Sequence, residues 1–432
     1  MQTSVDLIKH LRERFDVLAQ LLMADTTGQY PDRQMAVKLL ADYLKRIYDD
    51  KEEGKQLAWI NYAVASELFW AMDITPVVID AIGGITSQNP EDALPYIDKA
   101  ESFIPDYICS VNKIFLGAAL SGDIPKPDMI VVPSHPCDSN LATYPVIAER
   151  MGFPYYCIDA PYFRDERGLQ HVTGQIKGLV SFLEEHTGRK LDHDKLREVM
   201  EHSNRAHEYI LKIAQLAQSV PSPFSSMDGL ADYAIVLAYA GTPELADYMQ
   251  MKYEVVKRRV ESQQGEPTDQ RIRLVWIYGA PAFDFTLFFT LEQTYGAYSV
   301  GNMNNNFIMK PVDLSSTDSI YRGLASKVIN LPMGRECGGP WENYVDAMMD
   351  LCRRFKADAA VLAGHVACKA NWPIMKLVKD RIADELGIPT LIFELDLMDP
   401  RIASGQVIKG HFEDFFRVHF PDVVASLSQE SA

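Results

Sequence analysis

One short run of residues decides the predicted fold of this chain: Val131-Val132-Pro133-Ser134-His135-Pro136-Cys137-Asp138. An apolar strand is predicted over residues 128–132, followed by a proline-bounded turn that carries a cysteine at its tip. A helix is predicted to begin near Asp138 and Ser139. Open α/β sheets bind their ligands just beyond the carboxyl ends of their strands. We therefore expect the Cys137 thiol at the ligand-binding edge of a sheet.

Short apolar runs on either side of this stretch alternate with helical patterns. In the first series, strands are predicted at residues 57–64, 76–79, 128–132 and 154–158, with helices at 65–72 and 141–151. In the second series, strands are predicted at residues 274–278, 298–300, 359–362 and 390–393, with helices at 285–294, 341–355 and 373–386. This alternation is typical of parallel sheets with helices on both faces. The predicted fold class is α/β, with two Rossmann-like parallel-sheet domains, a helical insert and N-terminal helices.

The insert and the N-terminal helices follow from two regions with helical spacing of apolar residues. Near the N-terminus, two amphipathic helices are predicted over residues 1–23 and 32–50, with a turn-like run at residues 26–31 between them. Residues 164–266 are predicted to form a helix pair or small bundle, with a Pro-Ser-Pro break at residues 221–223. The predicted domains are the N-terminal helices over residues 1–53, a first α/β domain over 54–163, a helical segment over 164–266 and a second α/β domain over 267–432.

The composition is that of a globular protein with an excess of acidic residues. The chain has 432 residues, of which 47% are apolar and 23% charged. Its net charge of −17, with 42 Lys and Arg against 59 Asp and Glu, argues against a nucleic-acid partner, because phosphates must be neutralised by cations. The N-terminus lacks the pattern of a signal peptide, and no run of about 18 apolar residues occurs. We therefore expect a cytoplasmic protein with no membrane contact.

Cysteine is the residue type in this sequence that points to specific chemistry. The six cysteines are Cys109, Cys137, Cys157, Cys337, Cys352 and Cys368. In a long chain without an export signal they are expected as thiols or metal ligands rather than as disulfides. Cys109, Cys137 and Cys368 fall in loops that flank predicted strands, and the absence of a CxxC pair excludes a zinc ribbon or a ferredoxin-type binding loop. Spacing alone supports buried packing and metal ligation about equally.

Several segments, taken in order and spacing, carry a family resemblance over about residues 55–420. They are residues 58–68 with Glu67, Tyr107-Ile108-Cys109-Ser110, Pro125-Lys126-Pro127-Asp128 leading to Cys137-Asp138, residues 154–161, residues 358–368, Gly387-Ile388-Pro389, and Glu394-Leu395-Asp396-Leu397-Met398-Asp399-Pro400-Arg401. Together they resemble the family of 2-hydroxyacyl-CoA dehydratases and ATP-dependent benzoyl-CoA reductases. Ser66 departs from the pattern, since it stands where the family has a proline.

The resemblance implies one iron–sulfur cluster per subunit, usually [4Fe-4S], held by Cys109, Cys137 and Cys368. Three protein ligands would leave one iron open to water or substrate. The resemblance also implies an acyl-CoA substrate, a homologous second subunit, and an electron supplied by a separate ATP-hydrolysing activator. The chain itself has no GxxxxGK[ST] loop, which agrees with ATP acting only through another polypeptide.

Two activities are compatible with the resemblance. One is reduction of an aromatic acyl-CoA such as benzoyl-CoA, and the other is dehydration of a 2-hydroxyacyl-CoA through a ketyl radical. Dehydratase subunits carry small serines around the positions of Asn61 and Tyr62, so these two residues favour the reductase. Two further hypotheses are a non-catalytic electron-transfer protein with a cluster, and an α/β binding protein without a metal.

Polar residues near the predicted ligands are candidates for catalytic roles. His135 and His365 are predicted proton donors, because histidine titrates near neutrality; a hydrogen-bonded loop histidine is the alternative for each. Glu67, which follows the first strand, is predicted to position substrate, with stabilisation of a helix N-terminus as the alternative.

The remaining three cysteines receive separate predictions. Cys337 lies in a glycine-rich turn, Arg335-Glu336-Cys337-Gly338-Gly339-Pro340, and is a candidate extra ligand, because some relatives carry a larger double-cubane cluster that needs more thiolates. The alternative for Cys337 is a turn residue near a helix N-terminus. Cys157 in a strand and Cys352 on an amphipathic helix are predicted to pack in the core.

Overall fold

In the computed structural model of the chain, residues 6–23, 30–263 and 269–430 are described. Within these residues, eight strands form two parallel sheets of four strands each, as follows. The first sheet contains β1 (Leu57–Ile60), β2 (Thr75–Val78), β3 (Met129–Pro133) and β4 (Tyr155–Ile158), in the order β2-β1-β3-β4. The second contains β5 (Ile272–Trp276), β6 (Ala297–Asn302), β7 (Ala359–His365) and β8 (Thr390–Leu395), in the order β6-β5-β7-β8. The predicted α/β class is confirmed, and the two sheets share one strand order.

Burial on both faces explains why the central strands of both sheets are mostly apolar. Every residue of β1, β3, β5 and β7 is buried. Successive side chains of a strand point to opposite faces, so Trp59 and Val132 join one hydrophobic core while Ile60 and Val131 join another. Parallel sheets covered on both faces need such continuous apolar runs.

The helices of the first half surround the first sheet. They are α1 (Leu7–Met23), α2 (Pro31–Glu52), α3 (Glu67–Ala71), α4 (Ile79–Ser87), α5 (Pro90–Glu101), α6 (Ser110–Ser121) and α7 (Asp138–Met151). The strand predicted over residues 57–64 is too long, since β1 ends at Ile60. It ends there because the Asp80 carboxylate accepts hydrogen bonds from the Tyr62 backbone N–H at 2.8 Å and from the Asn61 amide at 2.9 Å. These bonds hold the following residues in a turn.

The second N-terminal helix packs against the edge of the first sheet. The Tyr43 hydroxyl on α2 donates to the Pro76 carbonyl at 2.9 Å and accepts from the Val78 N–H at 2.8 Å, and both partners lie on β2. Edge strands expose unpaired backbone groups, and the tyrosine satisfies two of them. Residues 1–5 of the first predicted helix, and residues 24–29 at the predicted turn, lie outside the described residues.

The predicted helical character of the central region is confirmed. It contains α8 (Glu166–Thr187), α9 (His193–Leu216), α10 (Asp228–Tyr239) and α11 (Pro243–Glu261). Aspartates cap α8 and α9: the side chain of Asp165 accepts from the Gly168 N–H, and that of Asp192 accepts from the Asp194 N–H, both at 2.9 Å. The sequence break predicted after this region falls largely on residues 264–268, outside the described part. Among the described helices, none combines the length and apolarity needed to cross a bilayer.

One helix of the second half belongs to the core of the first sheet. The second half contains α12 (Thr286–Tyr295), α13 (Thr317–Asn330), α14 (Gly334–Cys337), α15 (Trp341–Arg354), α16 (Met375–Leu386), α17 (Gly405–His419) and α18 (Pro421–Glu430), with single 3-10 turns at Met303–Asn305 and Trp372–Ile374. Ile320, Leu324 and Val328 of α13 pack in the same core as Ile60 and Ile176. The two halves of the chain are therefore interlocked.

Candidate functional site

The carboxyl ends of the two sheets carry the candidate site. In each sheet the first strand of the series lies between the second and the third, so the chain leaves in opposite directions from two adjacent strands. Ligands of open α/β sheets bind at such a switch point. Tyr62 and Cys137 follow the two strands at this point in the first sheet, and Tyr278 and Cys368 follow the equivalent strands in the second.

Cys109 and Cys137 occupy the N-cap positions of two adjacent helices, α6 and α7 respectively. The Cys109 N–H donates to the Ser139 hydroxyl at 3.3 Å. One turn further along, the Asn112 side-chain amide donates to the Asn140 side-chain oxygen at 3.1 Å. These two bonds join the first turns of α6 and α7.

His365 connects the second sheet to Cys109. The imidazole, which is fully buried at the end of β7, places Nε2 at 3.2 Å from the Cys109 sulfur. Its Nδ1 accepts a hydrogen bond from the Leu397 backbone N–H at 3.3 Å, so the ring proton resides on Nε2 and is donated to the sulfur. The Tyr278 ring stacks on the imidazole, with centroids 6.4 Å apart. Burial lowers the pKa of His365, which favours this neutral form.

Asp396 fixes the same junction from the other side. Its carboxylate accepts a hydrogen bond from the Ser110 hydroxyl and bonds of 2.8 and 3.0 Å from the N–H groups of Met398 and Asp399. Ser110 directly follows Cys109, so the bond ties the first turn of α6 to the loop after β8. Asp396 is buried, and its oxygens are therefore held by protein donors rather than by water.

Electrostatic effects show that four of the six cysteines share one environment. Burial raises the pKa of Cys109, Cys137, Cys337 and Cys368, in the case of Cys137 to about 12. Beyond burial, the charges of Cys137 and Cys368 raise the pKa of both Cys109 and Cys337. The four thiols are therefore close enough to influence one another, although they come from both halves of the chain.

Backbone N–H groups point at three of these sulfurs. They belong to Val111 for Cys109, to Asn140 for Cys137, and to Ala370 and Asn371 for Cys368, and each lowers the pKa of its thiol against the larger effect of burial. Without a metal the thiols are neutral, because desolvation outweighs the N–H groups. Thiolates are the form that binds metals, so metal binding here would release protons.

Cys157 and Cys352 stand apart from this group. Cys157 lies on β4, and burial raises its pKa together with the effect of Asp159. Cys352 is buried on α15, where burial raises its pKa to about 12. None of the other thiols shifts the pKa of Cys157 or of Cys352. Among the described residues, no three His, Cys, Asp or Glu side chains are close enough to hold a single metal ion.

Buried tyrosines surround the four thiols, and they were not among the site residues predicted from sequence. Tyr62, Tyr144, Tyr278 and Tyr344 are buried, and the charges of cysteines in the group raise the pKa of each hydroxyl beyond the effect of burial. Within the described part of the chain, the hydroxyls of Tyr62 and Tyr144 have no hydrogen-bond partner. The position of Tyr62 and Tyr278 just after the carboxyl ends of β1 and β5 is the signal that could have revealed them.

His135 lies beside the thiols without a hydrogen bond to either ring nitrogen among the described residues, and both nitrogens are buried. Its ring packs against Gly338, where an added Cβ would lie 2.5 Å from the imidazole Nδ1. Burial, followed by the charge of Arg164, lowers the pKa of His135 to about 3. The ring is therefore neutral at physiological pH.

Glu67 lines a neighbouring cavity whose walls are mostly apolar. It is 1% exposed and forms an ion pair with Lys327 of α13. The Ser203 hydroxyl donates to the same carboxylate at 2.7 Å and accepts from the Lys327 ammonium at 2.5 Å. Burial alone would raise the pKa of Glu67, but Lys327 and Ser203 outweigh it, so this pKa lies below its usual value. Tyr62 lines the cavity and separates it from the thiols.

The structure thus gathers most of the predicted site residues into one place. Cys109, Cys137 and Cys368 come together, and His135 and His365 adjoin them. Glu67 is not among them, since it faces the cavity behind Tyr62. Thiolates are soft ligands that suit iron–sulfur clusters, zinc and Cu(I).

Comparison with known proteins identifies the family. A sequence model of the family described as 2-hydroxyglutaryl-CoA dehydratase, D-component, matches residues 61–416. The chain is 23% identical over 365 residues to the (R)-phenyllactyl-CoA dehydratase alpha subunit of Clostridium sporogenes, covering 81% of this chain and 86% of the relative. It is 23% identical over 411 residues to a benzoyl-CoA reductase subunit of Thauera aromatica, covering 88% and 93%. For the (R)-2-hydroxyglutaryl-CoA dehydratase alpha subunit of Acidaminococcus fermentans, the identity is 24% over 285 residues, covering 64% and 57%.

The family match includes seven of the eight strands and every thiol of the group described above. The chain belongs to the 2-hydroxyglutaryl-CoA dehydratase D-component family.

Proposed function

We propose that this chain is the iron–sulfur subunit of an acyl-CoA-processing enzyme that uses ATP-activated, low-potential one-electron chemistry. The convergence of Cys109, Cys137 and Cys368 at the facing ends of two sheets is the observation that supports it most directly. Relatives named as dehydratase and benzoyl-CoA reductase subunits support the acyl-CoA class.

The three thiols form a donor set that suits a [4Fe-4S] cluster, in which each ligand sulfur binds a different iron atom. A bound cluster would supply one-electron transfer at low potential. Backbone N–H groups at the starts of α6 and α7 favour the thiolate form of Cys109 and Cys137 when the metal binds.

The chain's own residues control the surroundings of such a cluster. The Nε2–H group of His365 donates to the Cys109 sulfur, and Asp396 holds the adjoining helix turn through Ser110. Hydrogen bonds to ligand sulfurs stabilise added negative charge. The buried tyrosine rings of Tyr62 and Tyr278 exclude water, which protects a reactive reduced state.

The cavity behind Tyr62 is the proposed site of the acyl group. Tyr62 and Phe307 supply aromatic surface, while Glu67 and Lys327 supply a buried charged pair. A second, larger cavity shares Phe307 as a wall residue. The mostly apolar walls suit an aromatic acyl group, and we favour a benzoyl-CoA reductase because Asn61 and Tyr62 stand where dehydratase subunits carry small serines. A 2-hydroxyacyl-CoA dehydratase subunit is the second candidate, supported by the dehydratase names of several relatives.

Two protein partners are part of the proposal. The chain is similar to both the alpha and the beta subunit of the phenyllactyl-CoA dehydratase of Clostridium sporogenes, so we propose a homologous second subunit. The electron would come from a separate ATP-hydrolysing activator, because the sequence contains no P-loop motif of its own.

Anaerobic purification with iron and sulfide analysis tests the cluster. We expect iron and sulfide in the wild type, their loss in the triple variant Cys109→Ala, Cys137→Ala, Cys368→Ala, and their retention in a Cys157→Ala control. A wild type without iron, or a triple variant with full iron content, would refute the cluster assignment.

Activity with the second subunit, activator and ATP then tests the substrate class. Turnover of benzoyl-CoA supports the reductase, and turnover of a 2-hydroxyacyl-CoA supports the dehydratase. Failure with both, in a protein that holds a reducible cluster, would support an electron-transfer protein of the same family instead.

A further inference from the structure

The segment that carries Cys337 is built between the segments that carry Cys137 and Cys368. On one side, the backbone of Gly338 lies against the ring of His135, two residues before Cys137; a Cβ at Gly338 would come within 2.5 Å of that ring. On the other side, the Asn371 amide, three residues after Cys368, donates to the Tyr344 hydroxyl on α15 at 2.8 Å. Cys337 ends the short helix α14, one residue before Gly338 and seven residues before Tyr344.

The backbone of this segment is strained, which indicates that its path is imposed by its surroundings. Met333, which precedes α14, has a φ of 63° and a ψ of −45°, a conformation that non-glycine residues rarely adopt. The Cys337 N–H donates to the Met333 carbonyl at 2.8 Å. Strain of this kind persists where surrounding contacts determine the conformation, and it is concentrated at functional sites.

A buried positive charge, that of Arg164, lies beside Cys337 without a salt bridge among the described residues. The Arg164 guanidinium donates to the carbonyls of Ile329 and Gly334, and its Nε is buried without a partner among the described residues. Among the described residues it forms no salt bridge; Glu336, whose charge raises the pKa of Arg164, is paired with Arg335 instead. Burying an unpaired charge is costly, and a thiolate at Cys337 would help to balance it.

The electrostatics of the thiols agree with this placement. Burial raises the pKa of Cys337 most, the charges of Cys368 and Cys137 raise it further, and Arg164 lowers it. Burial raises the pKa of the Tyr278 hydroxyl, which is hydrogen-bonded to Cys368, and the charges of Cys337 and Cys109 raise it further.

We propose that Cys337 is a fourth protein ligand of one cluster that Cys109, Cys137 and Cys368 also hold. The inference rests on the proposed function, because it presumes that the thiols bind an iron–sulfur cluster. With four thiolates, two from each half of the chain, every iron of a [4Fe-4S] cluster has a protein ligand, so no iron is open to substrate. The cluster of this subunit then acts by electron transfer alone, without a bond from iron to the acyl group.

Spectroscopy of the iron tests the proposal without reliance on turnover. In anaerobically purified, isotopically labelled wild type, we expect Mössbauer spectra without a distinct iron site, and an EPR signal of the reduced cluster that added cyanide leaves unchanged. In Cys337→Ala, roughly a quarter of the cluster iron should become distinct, and cyanide should change the EPR signal, because one iron has lost its thiolate. Cys352→Ala removes a buried thiol outside the group and should behave as the wild type does.

The wild-type measurement decides the question even if the variant fails to assemble. A wild type with a distinct iron site and a cyanide-sensitive EPR signal would show an open iron and overturn the role of Cys337, while leaving the proposed cluster in place. A wild type without iron would overturn the proposed cluster together with this inference. Loss of the cluster from Cys337→Ala, with a closed wild-type cluster and a normal Cys352→Ala, would support the fourth ligand.

Discussion

Replacing Lys327 with methionine should strongly destabilise the fold, because it leaves the Glu67 carboxylate buried without its cation. Glu67 is 1% exposed, and the side chain of Lys327 is 12% exposed. The pair joins α3 to α13, and Ser203 on α9 bonds to both groups, so three elements meet at one buried charge pair. Removing one partner of such a pair costs about 3–5 kcal/mol.

The loss of stability in Lys327→Met depends on pH, because the pKa of Glu67 differs between the wild type and the variant. In the wild type the pKa of Glu67 lies below its usual value of 4.5, so the stabilising contribution of the pair is present at neutral pH and is lost only as the pH falls through this lower pKa. In Lys327→Met, burial is opposed only by the Ser203 and backbone hydrogen bonds, which lower the pKa of Glu67 less than burial raises it, so the carboxyl takes up a proton as the pH falls from 7. The difference in stability between the two proteins should therefore shrink toward pH 5.

Urea unfolding followed by circular dichroism, at pH 7 and pH 5, measures both effects. Lys177→Met is a matched control on an exposed pair with Asp318, where exposed ion pairs contribute roughly 1 kcal/mol or less. The double variant Glu67→Gln/Lys327→Met should recover much of the loss, because it leaves no unpaired charge. A loss in Lys327→Met that is no larger than that in Lys177→Met, or that grows toward pH 5, would refute the reasoning.

Three further predictions concern the site and its supports. His365→Phe removes the hydrogen bond to Cys109, so an iron-loaded variant should show a lower reduction potential in an EPR-monitored titration; an unchanged potential would contradict the bond's role. Burial raises the pKa of Asp80 to about 6 from 3.8, so its contribution to stability is full below about pH 4 and is lost as the pH rises through 6. Between pH 4 and 7 the wild type should therefore lose on the order of 2–3 kcal/mol of stability relative to Asp80→Asn, measured by urea unfolding. Parallel pH profiles of the two proteins would contradict this prediction. Gly338→Ala should lower the free energy of unfolding by about 1–3 kcal/mol, because the added Cβ would meet three atoms at 2.5–2.8 Å. The control Gly410→Ala, at an open helical position, should stabilise the protein slightly. Equal urea midpoints for the two variants would refute the contact.

The sheets could be predicted from sequence because their strands are buried on both faces. Such strands appear in the sequence as apolar runs, and the predicted runs at residues 128–132 and 359–362 fall on β3 and β7. The error at residues 61–64 has a physical cause outside the run, since the carboxylate that turns the chain belongs to Asp80 on the next helix but one. Local apolarity does not reveal a distant hydrogen-bond acceptor.

The candidate site could be predicted only in part. Strand-end positions and family resemblance together indicated Cys109, Cys137 and Cys368, but sequence spacing says nothing about which loops meet in space. The Cys109–His365 contact depends on how two sheets face each other, and the Glu67–Lys327 pair depends on α13 crossing to the first sheet. Both are tertiary contacts between residues more than 250 positions apart.

The bonds of Asp396 bear on how a cluster would enter this protein. The carboxylate joins the two halves through Ser110, and a sulfur–hydroxyl contact between Met398 and Ser87 adds to the closure, so the thiols are held together by protein bonds alone. A cavity that is preassembled in this way loses little conformational entropy on loading, which favours tight retention. The four cysteines of the group, Cys109, Cys137, Cys337 and Cys368, are each partly exposed, so loading does not require the two halves to separate.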